Sequence, residues 1–155
     1  MLDSSEEFLA YAHHLEAEHQ RLDRLVRQMQ DTCADILKLA GGQREARRTA
    51  LMGGFSDLYD ELNRHFAEEE GGACLEEAVS RRPALAPLVK ALEGEHGQLL
   101  DQLQRIILQL KQDVSGEIFA RVADQFQQFV VSLHAHEAAE SEILERGFNL
   151  SFKEA

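Results

Sequence analysis

Residues that interrupt helices or cross-link chains are rare in this sequence. Its 155 residues include two prolines, ten glycines, two cysteines and no tryptophan. Leu, Ala, Glu, Gln and Arg dominate instead, and these residues favour helices. The cysteines, Cys33 and Cys74, form no recognisable metal motif, which favours two free thiols in a reducing cytoplasm over a disulfide framework.

Basic residues are also scarce, with 16 Lys and Arg against 28 Asp and Glu, and the formal net charge is −12. Nucleic acids and anionic membrane surfaces require a basic face, so neither is an expected partner. No apolar run approaches the roughly 20 residues that a membrane span needs. The acidic residues 1–10 lack the layout of a secretory signal. We therefore expect a cytoplasmic protein that binds neither nucleic acid nor membrane.

Apolar residues recur at helical spacing in four long segments, and no segment alternates as a strand would. The predicted helices run from a serine cap at Ser4 or Ser5 to Gly41-Gly42, from about 43 to 70, from Pro83–Pro87 to Asp113, and from a cap at Ser115 to Gly147. The link at 71–83 has room for one short helical turn. Such a pattern predicts an all-α fold, an up-down-up-down four-helix bundle.

The length of the chain predicts a single domain over residues 1–155. Within it, the bundle is expected at about residues 5–147. Residues 148–155 are expected to form a short C-terminal tail that packs through its two phenylalanines.

Each apolar stripe is interrupted by a histidine, and two stripes are also interrupted by a glutamate. The six positions are His19, His65, Glu69, His96, His136 and Glu140. An unpaired carboxylate in a dry core costs several kcal/mol, so something must compensate the two glutamates. In an up-down bundle the starts of the first and third helices lie beside the ends of the second and fourth, which puts all six residues in one layer. Four imidazoles and two carboxylates from four helices predict a site for first-row transition metals.

This ligand set favours a pair of metal ions. Six protein ligands exceed what a tetrahedral zinc site needs, and bridging carboxylates suit two irons. In a two-iron interpretation each glutamate bridges both ions, and the histidines divide between them. One or more coordination positions then stay open for water, oxo, dioxygen or nitric oxide.

The order of these residues resembles that of the hemerythrin-like proteins, which have an HHE cation-binding domain. The matching stretches, within about residues 8–147, are "EHQRL" at His19, "HFAEEE" at His65 and Glu69, "EHGQL" at His96, and "HEAAE" at His136 and Glu140. The resemblance implies a four-helix bundle with a non-haem di-iron centre that can carry an oxo bridge and bind O2, NO or peroxide. It implies roles in oxygen binding or sensing, in the response to nitric oxide or oxidative stress, or in iron handling. Iron is therefore the expected cofactor, and other divalent metals are expected to bind the same site in vitro.

One departure from the family pattern leaves the number of metal ions open. Many members carry a fifth histidine, either one turn after the third-helix histidine or early in the second helix. Here the first of these positions is Leu100, and the early part of the second helix has no histidine. Glu16 and Glu93 each lie three residues before a stripe histidine, so each is a candidate ligand or a partner that orients an imidazole.

Two other functions stay open. A ferritin-like oxidase or peroxidase would use the same irons, with Glu16 and Glu93 as ligands. A bundle that holds zinc, a single metal or none would have a structural role. Nothing beyond the metal ligands identifies a catalytic group, and a monomer and a homodimer are both compatible with the sequence.

Several polar and aromatic residues near the layer are expected to have ordinary roles. Those expected on the surface are His13, His14, His134, Glu68 and Glu70. Tyr11 and Tyr59 flank the layer and are expected to pack at the edge of the core.

Overall fold

A computed structural model describes residues 4–149 of the chain, with helices throughout. In chain order the elements are α1 (Ser4–Leu37), α2 (Gly41–Glu45), α3 (Arg48–Gly71), α4 (Cys74–Arg81), a 3-10 turn (Pro83–Leu85), α5 (Ala86–Gln112) and α6 (Ile118–Phe148). No strand occurs among these described residues. The all-α prediction is therefore confirmed, with two short helices in addition to the four long ones.

The four long helices α1, α3, α5 and α6 each pack against two of the others. Helix α1 packs on α3 and α6, and α5 packs on the same two helices. The short α4 lies mainly against α6. Between residues 4 and 149, no helix combines the length and the apolar content needed to cross a membrane.

The first link begins earlier than predicted. Helix α1 ends at Leu37, and Gly41-Gly42 begin α2 instead of closing α1. The Arg44 guanidinium donates hydrogen bonds to the carbonyl oxygens of Leu37, at 2.7 Å, and Leu39, at 2.8 Å. A side chain from α2 thus satisfies the last carbonyl of α1 and one carbonyl of the link. The predicted second helix is accordingly divided into α2 and α3.

The predicted cap of the last helix is wrong. Glu117, not Ser115, occupies the position before α6, and no side chain caps the helix there. The backbone N–H of Ser115 instead donates to Oδ1 of Asp113 at 2.8 Å, so this serine belongs to the turn that ends α5. The side chains of Ser4 and Ser5, the predicted caps of α1, lie outside the described residues.

Gly147 does not end α6, which continues to Phe148 and stops at Asn149 in a left-handed conformation with φ 55°. A Cβ at Gly147 would lie 2.6 Å from the Cβ of Ala78, so the glycine allows α4 to approach α6 closely. Phe148, expected in the tail, stacks on Phe8 with ring centroids 5.6 Å apart. The remainder of the predicted tail, 150–155, lies outside the described residues.

Two apolar clusters fill the space between the helices. The larger includes Leu22, Leu62, Leu99 and Leu133, and the smaller, beside α4, includes Leu15, Leu92 and Ile143. On α1, α5 and α6 the interrupting histidines lie in the sequence between members of the two clusters. The polar layer therefore separates one apolar cluster from the other.

Candidate metal centre

All six polar residues of the predicted stripes are buried in one layer. His19 comes from α1, His65 and Glu69 from α3, His96 from α5, and His136 and Glu140 from α6. None of them is more than 6% exposed. Helical spacing explains this, because residues four apart, such as His65 and Glu69, share one face of a helix.

The carboxylate of Glu69 lies between two pairs of imidazoles. Its Oε1 is 2.5 Å from Nε2 of His65 and 4.0 Å from Nε2 of His19. Its Oε2 is 2.9 Å from Nε2 of His96 and 4.0 Å from Nε2 of His136. Each oxygen of one carboxylate therefore faces a different pair of histidines.

Glu140 adds a second carboxylate on one side of the layer, with Oε2 3.5 Å from Nε2 of His19. Potential ligand atoms consequently form two overlapping groups, each with its atoms within 4.8 Å of one another. The first comprises His19, His65, Glu69 and Glu140, and the second comprises Glu69, His96 and His136. Imidazole and carboxylate donors in such groups suit first-row transition metals.

Although imidazole nitrogens of His65 and His96 lie within 3 Å of Glu69, most of the inward-facing atoms make no hydrogen bond of good geometry. Both oxygens of Glu69 and of Glu140 are buried in this state, as are the Nε2 atoms of His19, His96 and His136. Buried polar atoms in proteins are normally paired, and each exception requires an explanation. A metal ion coordinated by these atoms would compensate all of them together, so the donor set fits a metal centre.

Burial and mutual contact shift the pKa values of these residues. Burial raises the pKa of Glu140 to about 7. Burial alone would lower the pKa of His19, but contacts with Glu140 and Glu69 raise it to about 10. Burial opposes ionisation of Glu69 too, yet its imidazole neighbours hold its pKa well below the usual range. In the metal-free layer a proton on His19 adds a positive charge and a proton on Glu140 removes a negative one, so metal binding must release protons.

In two of the histidines, Nδ1, the ring nitrogen that faces away from the layer, contacts a carboxylate on an adjacent helix. Nδ1 of His96 lies 2.8 Å from Oε1 of Glu70, and Nδ1 of His136 lies 2.7 Å from Oε2 of Glu95. A carboxylate accepts, so Nδ1–H donates, and Nε2 of each ring is directed into the layer as the nitrogen that would bind a metal. These contacts orient both imidazoles as metal ligands need to be oriented.

Sequence reasoning missed these orienting carboxylates. Glu70, expected to be solvated, is half-exposed but accepts the hydrogen bond from His96. Glu93 is exposed, and neither it nor Glu16 belongs to the two groups of ligand atoms. A local signal existed, because Glu95 directly precedes His96. Residues adjacent in a helix point about 100° apart, so the neighbour of an inward ligand is directed toward the adjacent helix.

An aromatic side chain that the sequence did not single out forms one wall of the layer. Phe66 is 3% exposed and stacks on His96, with ring centroids 4.0 Å apart and planes 8° from parallel. It also meets His136 edge-on at 5.3 Å. Phe66 therefore keeps both imidazoles in place from the side of the larger apolar cluster.

The remaining residues near the layer have structural contacts. The Tyr11 hydroxyl donates to the carbonyl oxygen of Glu68 at 3.0 Å, and burial raises its pKa to about 12. Tyr59 packs against the larger apolar cluster, and so does Leu100, at the position of the fifth family histidine. Cys74 is buried, and burial raises the pKa of its thiol to about 12.

The three remaining histidines, His13, His14 and His134, are exposed, as expected. His134 nevertheless has polar neighbours, because its Nε2 lies 3.4 Å from Oδ1 of Asp23. Glu137 lies beside them and is only 8% exposed; burial raises its pKa to about 8.

A comparison with protein families matches residues 10–147 to the hemerythrin HHE cation binding domain. The match covers nearly all of the long helices and all six residues of the layer, and it confirms the resemblance noted in the sequence. No curated protein and no solved structure matches the chain.

Proposed function

Because the chain belongs to the family of hemerythrin HHE cation-binding domains, we propose that it is a non-haem di-iron protein. In this proposal the chain is one domain, and its long helices form an up-down-up-down bundle around the metals. The observation that carries the proposal is the position of Glu69. Each of its oxygens faces a different pair of imidazoles, as a carboxylate that bridges two ions requires.

The two groups of ligand atoms divide the residues between the ions. His19 and His65 would hold one iron, and His96 and His136 the other. Glu69 belongs to both groups, and Glu140 lies closest to His19. The four-donor group on the His19 side would bind its ion more tightly than the three-donor group.

A bound pair of irons would supply redox chemistry and open coordination positions for a small ligand. The surrounding residues supply apolar walls on two sides of the layer, formed by Phe66 with the larger apolar cluster and by the smaller one. Glu70 and Glu95 keep the imidazoles oriented from outside. O2, NO or peroxide would fit such a site, in oxygen binding or sensing or in iron handling under oxidative stress in the cytoplasm.

The exposed position of Glu93 weakens the case for a ferritin-like oxidase or peroxidase, since that function called for Glu16 and Glu93 as ligands. A bundle with one metal ion has better support. The two groups differ in donor number, and Leu100 replaces the fifth histidine of many family members. Measurement of the metal content per chain distinguishes the single-metal alternative from the di-iron proposal.

The test is metal analysis of protein purified without oxygen from iron-replete cells, with visible spectra before and after exposure to air. We expect about two irons per chain and oxo-to-iron charge-transfer bands after exposure. One iron per chain would favour the single-metal alternative, and zinc or no metal would contradict the proposal.

Glu69→Ala provides the matched variant, and Glu68→Ala is its neighbouring control. Glu68 is partly exposed and pairs with Arg64 at 2.9 Å, outside the layer. We expect Glu69→Ala to retain at most one iron and Glu68→Ala to retain the wild-type content. Equal iron content in both variants would exclude Glu69 as a bridging ligand.

A further inference from the structure

A groove between α1 and α6 leads from the surface to His19. It has a volume of about 350 Å³ and an open mouth, and its walls include Asp23 on α1 and His134 and Glu137 on α6. His19, 6% exposed, forms part of the same wall. The groove therefore connects solvent with one of the residues proposed to hold iron.

Three side chains in this groove have the composition of a second metal site. Asp23, His134 and Glu137 each offer a ligand atom, and the three atoms lie within 4.8 Å of one another. His134 and Glu137 are three residues apart in α6 and so share one face of that helix. Two carboxylates and an imidazole suit iron, manganese or zinc as divalent ions.

The buried carboxylate in this group is independent evidence for a ligand. Glu137 is 8% exposed, and its Oε1 has no hydrogen-bond partner. Oδ1 of Asp23 makes no hydrogen bond either, and its polar neighbour is Nε2 of His134, 3.4 Å away. No lysine or arginine lies among the described residues that line the groove. Burial in this wall disfavours the ionised form of Glu137, and a bound cation would offset that cost.

A second group on the opposite side of α1 shows what a compensated cluster looks like. His14, Glu18 and Glu68 also place their ligand atoms within 4.8 Å. There, Arg64 lies 3.5 Å from Glu18 and 2.9 Å from Glu68, so a guanidinium already supplies the positive charge. The only ion pair of Asp23 within the described chain is with His134.

We propose that Asp23, His134 and Glu137 form a second site for a divalent transition-metal ion, outside the central layer. With three protein ligands and an exposed histidine, the site keeps coordination positions open to water and binds its ion more weakly than the central layer. An ion that moves inward from it meets His19 first. The site therefore acts as an entry site, from which ferrous iron passes to the central layer. This transfer role rests on the proposed di-iron function, but metal binding at the outer site does not depend on it.

Metal binding at this outer site is tested by titrating zinc into the metal-free full-length protein in a calorimeter. Wild type is expected to bind one more zinc ion than His134→Ala. Loss of a residue that only orients a metal ligand costs about 10- to 100-fold in metal affinity, and loss of a ligand should cost at least as much. Asp23→Asn and Glu137→Gln should therefore weaken the binding of this additional zinc ion by about tenfold or more. His134 is 54% exposed in its side chain, so its replacement leaves the core intact.

His14→Ala is the matched control, since His14 also lies on the surface, is 52% exposed in its side chain and belongs to a carboxylate group. It should leave the outer zinc step unchanged. An equal loss of zinc in His14→Ala and His134→Ala would mean adventitious binding to surface histidines and would overturn the proposal. So would superimposable titrations of wild type and His134→Ala.

The Glu69→Ala background separates this proposal from the di-iron function. If the central layer holds no metal, the outer zinc step persists in Glu69→Ala and disappears in Glu69→Ala/His134→Ala. The transfer role is tested by anaerobic uptake of ferrous iron in stopped-flow experiments. His134→Ala should slow the binding of iron in the central layer without lowering the final iron content. An unchanged rate of iron uptake would exclude the role as an entry site.

Discussion

Nδ1 of His136 on α6 lies 2.7 Å from Oε2 of Glu95 on α5, so a carboxylate of one helix orients a candidate metal ligand of the next. Glu95→Ala removes this partner while leaving every proposed ligand in place. We expect metal affinity to fall by about 10- to 100-fold, as is usual when such partners are lost. Metal competition with a chromophoric chelator measures the change.

Glu93→Ala is the control for this prediction, because Glu93 is an exposed glutamate on the same helix. It should bind metal as wild type does. Equal affinities for Glu95→Ala and wild type would show that the contact with His136 has no part in holding the metal.

Phe66 connects the apolar core to the imidazoles, since it stacks on His96. Phe66→Ala should lower the free energy of unfolding by about 3–5 kcal/mol, the usual cost of a buried Phe-to-Ala change. It should also weaken metal binding, because the rings of His96 and His136 lose the wall they rest on. Urea denaturation and metal titration measure the two effects.

Phe126→Ala is the control that distinguishes loss of core packing from loss of histidine positioning. Phe126 is 1% exposed and packs against Phe55 in the larger cluster, away from the histidines. The same loss of stability is expected, without the loss of metal affinity. If both variants bind metal equally well, Phe66 serves only the core.

Removal of the metal should loosen one layer of the bundle more than the rest. Without a cation, only protons and imidazole contacts compensate the buried carboxyl groups of Glu69 and Glu140. Amide protons of residues 65–69 and 136–140 are expected to exchange faster in the metal-free protein than in the loaded one. Residues 51–58, in the larger apolar cluster, should change less. A uniform increase along the chain would instead indicate that metal stabilises the whole fold without local preference.

Both cysteines should be unreactive in the folded protein. Burial raises the pKa of Cys33 to about 11 and that of Cys74 to about 12, so the reactive thiolate is rare near neutral pH. Thiol-reactive dyes near pH 8 should label neither residue until denaturant is added. Rapid labelling of Cys74 in the native protein would show that this thiol is accessible and active.

Arg48 ties the start of α3 to the end of α5. Its guanidinium donates to the carbonyl oxygens of Leu110, at 2.5 Å, and Asp113, at 2.8 Å, and lies over the ring of Phe119. Arg48→Ala leaves those carbonyls without this donor and should lower the free energy of unfolding by about 1–3 kcal/mol. Arg47→Ala, at the exposed neighbouring position, should change it by less than about 0.5 kcal/mol. Urea denaturation compares the two variants, and equal effects would contradict the role given to Arg48.

The periodicity of apolar residues was enough to predict the helices and their buried faces. Gly71 is the last residue of α3, close to the predicted end, and Pro87 lies in the first turn of α5, where its fixed φ is tolerated. The links were less predictable. The last carbonyl of α1 is bonded by Arg44, which lies beyond that helix in the sequence. Gly147 allows α4 to pack closely against α6 and does not end α6. Such roles depend on neighbours that are not adjacent in sequence.

The sequence by itself determined which six polar residues face the interior. Helical phase is a local property, so the position of His19 or Glu69 relative to the apolar stripe follows from spacing alone. Only the tertiary structure decided that Glu70 and Glu95, not Glu16 and Glu93, orient the imidazoles, and that Glu137 lies buried beside Asp23. These contacts cross from one part of the bundle to another, and they depend on how closely the helices pack and how each is rotated about its axis, which no single stretch of sequence contains.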